Sequence, residues 1–303
     1  MRKFAMSLVT TTIFGRWARP FLRMPYERRY WSRGMNLMSG VFPSFEDALR
    51  HAPPGRATGW DEKGIASNLV GDKVPAHARN GKDDLPVLVH QPSTFAVLLW
   101  LNKVLKPGAR IVDVGGASGL TYWHYRNYFD LPSGVTWNVV DMPEVTARAR
   151  ELAVKAGAEN LTFSEDLTAL DECDVLMSLG CIQYMSPDAL ATFMKAAQRA
   201  RTVIVNKIPL IDGPDFWTLQ CLGTTFAPYR VSNRAGFLRE FADIGLEVCD
   251  AWDVPELNMS IPFEPEHHVP SLKGLVLRNR AVTELKNVTS EGQRGQEALV
   301  GAA

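Results

Sequence analysis

The chain has 303 residues, 46% of them hydrophobic, which suffices for one large α/β domain plus an extension. Lysine plus arginine equals aspartate plus glutamate at 33 each, so the overall balance gives no reason to expect nucleic acid or an acidic polymer as partner. No stretch approaches the roughly eighteen apolar residues that span a bilayer, and Cys173, Cys181, Cys221 and Cys249 lie far apart, which points to a reducing cytoplasm and to neither a disulfide scaffold nor zinc.

Residues 1–39 read as a basic aromatic arm. Arg2, Lys3, Arg16, Arg19, Arg23, Arg28, Arg29 and Arg33 face only Glu27 and alternate with Phe4, Phe14, Trp17, Phe21, Tyr26, Tyr30 and Trp31. Such a segment is either a loose arm, an arm whose aromatics pack onto the domain, or one that touches an anionic membrane face. A signal peptide fits poorly, because Ser7, Thr10, Thr11 and Thr12 interrupt the apolar stretch and no small-residue cleavage pattern precedes Trp17.

Residues 40–108 read as a helical extension with a lid-like loop. Ser44 is placed to cap a short helix with Asp47 three residues on. The segment from Pro53 to Pro86 is longer than a connector needs, so it is a lid or an ordered wrap. Ser93 then caps an apolar helix through Leu98, Trp100 and Leu105, stopped by Pro107-Gly108.

Residues 109–280 alternate strand and helix. Strands are expected at 109–115, Val135 to Asp141, Leu161 to Phe163, Val175 to Leu179 and Val203 to Val205. Helices fall between them at Leu120 to Phe129, Pro143 to Ala156 and Ser186 to Ala200, the last with Pro187 at its first position. Strands separated by helices imply parallel pairing with right-handed crossovers. After a helix from Asn233 to Ile244, strands at Leu246 to Trp252 and Leu272 to Leu277 have no helix between them and should be antiparallel neighbours. The expected fold is a doubly wound, mostly parallel seven-stranded sheet, and residues 281–303 form a polar tail.

The chemistry concentrates at the first crossover. Val112-Asp113-Val114-Gly115-Gly116-Ala117-Ser118-Gly119 is a strand running into a glycine turn, where backbone can approach a ligand closely. Asp141, at the tip of the next strand, is placed to accept hydrogen bonds from ribose hydroxyls. A dinucleotide fingerprint would want glycine where Ala117 stands, and Asp113 would repel a pyrophosphate but suits the sulfonium and ammonium of S-adenosylmethionine. Asp113, Gly115, Gly116, Gly119 and Asp141 are therefore read as a site for that cofactor.

Acceptor-facing groups should come from the C-terminal ends of the strands. In Gly180-Cys181-Ile182-Gln183-Tyr184 the Gln183 amide suits the methionine carboxylate or the acceptor, and the Tyr184 ring suits the positive sulfur. Asp166 is placed for the adenine amino group, with an ordinary turn or helix cap as the alternative. His268, in the pair His267-His268 between the last two strands, is a candidate general base. No third ligand at useful spacing supports a metal. Lys207 and Asp215 are weaker candidates after the fifth strand, with solvated charges as the simpler reading. Tyr122, Tyr125 and Phe129 share one side of their helix and read as packing.

The segments Gly40-Val41-Phe42-Pro43-Ser44-Phe45-Glu46-Asp47-Ala48-Leu49, Val112 to Tyr122, Trp137 to Val140 and Ile182-Gln183-Tyr184-Met185 resemble a family of bacterial methyltransferases often found beside surface-polysaccharide or natural-product genes. The resemblance covers roughly residues 40 to 280. It implies a class I methyltransferase fold, S-adenosylmethionine as cofactor, and no particular acceptor. Asp141-Met142 departs from the family, where a glutamate-type residue is common, and either carboxylate can bind ribose. The leading expectation is a cytoplasmic methyltransferase acting on a small oxygen or nitrogen nucleophile, such as a saccharide or natural-product intermediate. One rival is a cyclase or lyase in which the cofactor's own amine expels methylthioadenosine and leaves a small cyclic amino acid. Another is a catalytically silent cofactor-binding module.

Overall fold

The computed structural model describes residues 13–60, 63–70, 91–168 and 173–279. Part of the Pro53 to Pro86 loop, the first twelve residues and the expected polar tail lie outside the described residues.

β-branched and apolar runs make the central strands β3 (Arg110–Val114), β4 (Thr136–Val140), β5 (Leu161–Ser164), β6 (Val175–Leu179) and β7 (Thr202–Ile208). All five are parallel. β14 (Leu272–Asn279) joins β7 antiparallel, and β11 (Leu246–Val254) joins β14 antiparallel, which completes seven strands in the order β11-β14-β7-β6-β3-β4-β5. This is the doubly wound, mostly parallel sheet read from the sequence. The chain runs outward from β3 through β4 to β5, then returns to the other side of β3 for β6 and β7. The strand order therefore reverses between β3 and β6, where such sheets open a crevice at their carboxyl ends.

One sheet face carries Val112, Val114, Leu176, Val203 and Val205, packed with Phe193, Phe237 and Phe241. Those rings come from α7 (Pro187–Arg199) and α8 (Arg234–Asp243). The other face carries Ile111, Val139, Met177 and Ile204, packed with Leu98, Leu101, Tyr122 and Tyr125 from α4 (Pro92–Val104) and α5 (Leu120–Tyr128). Tyr122 and Tyr125 are core residues whose rings meet Trp137, with hydroxyls donating to Asn160 at 2.7 Å and Asn102 at 3.2 Å.

Several caps follow the sequence reading. Ser44 caps α2 (Phe45–Arg50) by accepting from Asp47 N at 3.0 Å, and Ser186 caps α7 ahead of Pro187. Ser93 departs from it. Pro92 opens α4 one residue earlier, so the cap position is Gln91 and the Ser93 hydroxyl sits inside the first turn.

A second, smaller sheet was not legible in the sequence. β9 (Phe216–Cys221) and β10 (Thr225–Asn233) form an antiparallel pair inserted between β7 and α8. β1 (Leu37–Phe42) adds antiparallel to β9, while β2 (Ala57–Thr58) and β8 (Leu210–Ile211) add parallel to β10. The boundary at 39/40 drawn from the sequence falls inside β1. Because β7 runs into this insertion through Pro209, the small sheet sits beyond the carboxyl ends of the main strands.

Within the described residues the basic arm is a helix, α1 (Ile13–Arg33). Tyr26 and Tyr30, one turn apart, are buried against β9 and β10, and their hydroxyls donate to Met38 O and Leu219 O. Arg56 fixes the end of the helix by donating to the carbonyls of Trp31 and Ser32 and to Gly223 and Thr224 in the β9–β10 turn. No described helix is long and apolar enough to cross a membrane.

Between β11 and β14, β12 (Met259–Ile261) and β13 (Glu264–Val269) form an antiparallel hairpin.

Candidate functional site

Asp113, next to the last residue of β3, lies on the face of the sheet that α4 and α5 cover, and it is 1% exposed. Neither carboxylate oxygen has a hydrogen bond of good geometry, and the neighbouring Trp137 indole N–H is likewise without a well-formed bond. Burial is the main reason its pKa is pushed up to about 7; the Trp137 indole N–H offsets part of this and the Asp141 charge adds to it. Two glycines make this placement sterically feasible. A Cβ on Gly116 would lie 2.6 Å from the Asp113 carboxylate, and one on Gly115 would lie 2.3 Å from Cys181 Cβ. The crossover thus closes on itself with glycine backbone against both β3 and the loop after β6.

The turn is held from the next strand. Asp141 Oδ2 accepts from Ala117 N at 2.9 Å, and Oδ1 accepts from Met142 N at 2.8 Å. Ala117 has φ +51°, a left-handed conformation that glycine would adopt with less strain. The Asp141 bond stabilises it there. Burial raises the Asp141 pKa, and the two amide donors oppose that rise. Gly119, at φ +76°, precedes the first turn of α5 and leaves it without a side-chain cap. The Gly119 and Leu120 amides instead donate to Gly116 O at 2.9 and 3.3 Å, which tightens the turn on itself.

Across the switch point, β6 delivers Ser178, Gly180, Cys181 and Gln183. Gln183 Nε2 donates to Gly180 O at 3.0 Å, so the amide closes its own loop, and its buried Oε1 has no partner. The Ser178 hydroxyl is also buried without one. Cys181, wedged against Gly115, has its thiol pushed up to about 12 by burial and by the negative charges of Asp141 and Asp113. Gly180 takes φ +110° with the Lys207 stem 3.4 Å from where its Cβ would be. Lys207 ends β7 at φ +62°; burial lowers its pKa and Glu256 opposes that. Glu256 accepts from Ser93 N at 3.0 Å.

The structure therefore brings together Asp113, Gly115, Gly116, Gly119, Asp141, Gly180 and Gln183. Tyr184 stands one step further out and is an anchor. Its hydroxyl donates to Gln220 Oε1 at 2.6 Å, Gln220 donates on to Asn36, and Trp60 and Tyr229 meet its ring edge-on at 4.8 and 5.1 Å. Asp166 is exposed in the turn after β5, where Oδ1 accepts from the Thr168 amide and hydroxyl. His268 is exposed on the β12–β13 hairpin with Nδ1 against Met259 O at 3.1 Å. His267 packs edge-on against Phe216 at 4.7 Å. Asp215 is paired with Arg230 at 2.6 Å.

Three contributors escaped sequence reasoning: Cys181, Trp60 and α3 (Lys63–Val70). α3 places Ala66 and Val70 against Val145 and Ala149 of α6 (Pro143–Lys155), with Ala117 beside them, and Ile65 against Leu222 and Ala227. It thereby ties the small sheet to the glycine turn. Cys181 had a signal in its place directly after Gly180; the other two had none without the small sheet.

No protein-family model matches the chain, and no curated protein matches it in sequence. Among solved structures, the [4+2]-cyclase SpnF is 13% identical with a TM-score of 0.48, covering 80% of this chain and 98% of its own. The CcbJ methyltransferase from Streptomyces caelestis is 14% identical with a TM-score of 0.46, over 74% of this chain and 98% of its own. The 1,6-didemethyltoxoflavin-N1-methyltransferase of Burkholderia thailandensis, with S-adenosylhomocysteine bound, is 18% identical with a TM-score of 0.45, over 62% and 79%.

Two results are expected from this geometry. Gly115→Ala adds a left-handed alanine and a clash with Cys181, and should cost about 2–5 kcal/mol, read as a lower urea midpoint. An unchanged midpoint would mean that the turn does not close on Cys181. Tyr184→Phe leaves Gln220 Oε1 without its donor and should cost about 1–3 kcal/mol, whereas Tyr184→Ala opens a cavity and should cost about 3–5 kcal/mol. Equal midpoints for the Phe variant and the parent would take the hydroxyl out of the anchor.

Proposed function

We propose that this chain is an S-adenosylmethionine-dependent methyltransferase acting on a small oxygen or nitrogen nucleophile, without nucleic acid as partner. The observation that carries this reading is the Asp113 carboxylate, buried at the switch point with neither oxygen in a well-formed hydrogen bond. An unpaired buried anion is costly, and a cationic ligand in the adjoining crevice supplies the missing partner. Asp141 supports it further, since each of its oxygens retains acceptor capacity for a ribose hydroxyl after binding Ala117 and Met142. Gly116 and Gly119 let backbone approach the cofactor, and Gly180 and the free Gln183 Oε1 border its methionine end. The adenine role of Asp166 rests only on its place after β5, since its Oδ1 already closes the turn onto Thr168.

When bound, S-adenosylmethionine supplies an electrophilic methyl group on a positive sulfur. The protein's part is to hold an acceptor in line and exclude water, which demands alignment more than covalent help. Gln183 is the residue assigned to the acceptor side, and Tyr184, held by Gln220, Trp60 and Tyr229, is assigned to positioning the loop that carries it. His268 is the weakest assignment, because it is exposed and already bonded to Met259. The acceptor class follows the family that the sequence resembles, a saccharide or natural-product intermediate, and the cytoplasm is the matching compartment.

Incubation with S-adenosylmethionine, alone and with candidate acceptors, tests the reading. S-adenosylhomocysteine formed only with an acceptor supports the transferase. Methylthioadenosine formed without any acceptor replaces it with the cyclase, and tight binding with neither product replaces it with a silent module. Calorimetry that detects no cofactor binding sinks all three.

A further inference from the structure

We propose that the outward face of α1 docks on a membrane surface carrying anionic phospholipid headgroups. The rotation of this helix about its axis is fixed by Tyr26 and Tyr30, which are 6% and 0% exposed and hydrogen-bond to the strand carbonyls of Met38 and Leu219. The face opposite those anchors is turned away from the protein. It carries Met24 and Arg28, four residues apart on one helix stripe, while Trp31 stands at its edge with its ring against Tyr30 and Phe226. Met24 is 74% exposed, Leu22 and Trp31 are each 39% exposed, and Met35 just beyond the helix is 53% exposed. Arg28 and Arg29 are exposed as well, and they line a shallow groove with Met24, Pro25 and Ser32.

Charge selects the occupant. From Ile13 to Arg33 the helix holds six arginines, at 16, 19, 23, 28, 29 and 33, against one acid, Glu27. Glu27 is itself paired with Arg23 at 2.8 Å. The whole chain is neutral, so this helix concentrates positive charge that the rest of the sequence balances elsewhere. Arginines around exposed methionine and tryptophan match the two layers of a bilayer surface, phosphates outside and acyl chains beneath. A second copy of the same face would set arginine against arginine. A nucleic acid would leave the apolar stripe in water.

The full-length protein is to be sedimented with vesicles of phosphatidylcholine, with and without phosphatidylglycerol, at low and high salt. Binding to the anionic vesicles alone, weakening as salt rises, is expected. Arg28→Gln with Arg29→Gln removes two charges worth about 1 kcal/mol each and should weaken binding about thirtyfold. Met24→Ser should weaken it about fivefold by loss of partial apolar burial. All three side chains are exposed, and unchanged circular dichroism and urea midpoints verify the fold. Equal binding to both vesicle types, no binding to either, or variants that bind like the parent overturns the proposal. So does a concentration-dependent dimer, or retention on duplex DNA, that is lost in the variants when no vesicles are bound.

Discussion

Asp113→Asn is expected to make the ligand-free protein more stable at pH 8 while weakening the S-adenosylmethionine binding proposed above. Burial raises the folded-state pKa of Asp113 from 3.8 to about 7. Below about pH 4 the carboxyl is neutral in both folded and unfolded chains, and the substitution changes little. Between about pH 4 and 7 the unfolded chain releases this proton while the folded chain retains it, so the parent loses stability as pH rises. Above the folded pKa the loss levels off. At roughly 1.36 kcal/mol per unit over about three units, the variant's advantage reaches up to about 4 kcal/mol. Asparagine carries no charge to desolvate, so it avoids this loss but cannot pair with a cation. Removing one member of a buried charge pair costs about 2–5 kcal/mol, so affinity should fall by at least about thirtyfold. Urea titrations at pH 4 and pH 8 read the first effect and calorimetry reads the second. A stability difference that is the same at both pH values, with affinity unchanged, would remove Asp113 from the site.

Asp141→Ala should damage both binding and fold. Its carboxylate accepts from Ala117 N and Met142 N, so alanine strands the amide of a residue already held at positive φ. The loss of these charge-assisted bonds should cost about 2–4 kcal/mol of stability. Cofactor affinity should drop more than tenfold, because the proposed ribose partner is lost and the turn around it loosens together. Asp141→Asn keeps one oxygen acceptor and should lie between alanine and the parent in both measurements. If asparagine matches alanine in stability but the parent in affinity, Asp141 serves the turn alone.

The central sheet was legible because its strands are short β-branched runs between helices long enough to require crossovers, and the tight turn of the candidate site was legible from the glycines that follow β3. Asp141 shows where that reading stopped. Sequence spacing placed it for a ligand, yet its nearest partners are the amides of the turn it faces. Ser93 stopped differently: a serine before an apolar run signals a cap, but Pro92 takes the first helical position and moves the start. The small sheet left almost no local trace. β9 and β10 are buried on both sides rather than alternating, Pro228 sits within β10, and β2 is two residues long. The residues that make these segments into strands come from distant parts of the chain. Tyr184 inherits the same opacity, since its partners Gln220 and Tyr229 belong to that sheet and Trp60 lies in the segment leading away from it.

The pairing of β1 with β9 joins Leu37 to Cys221, 184 positions apart. At a translation rate of about 5–20 residues per second, β1 emerges from the ribosome roughly ten to forty seconds before its partner exists. During that interval the segment from Leu37 to Phe42 is an apolar strand with no neighbour, and Tyr26 and Tyr30 have no surface on which to settle. The early part of the chain is thus kept waiting on a late insertion, and slowing elongation between β7 and β10 should lengthen the period in which the nascent protein needs a chaperone.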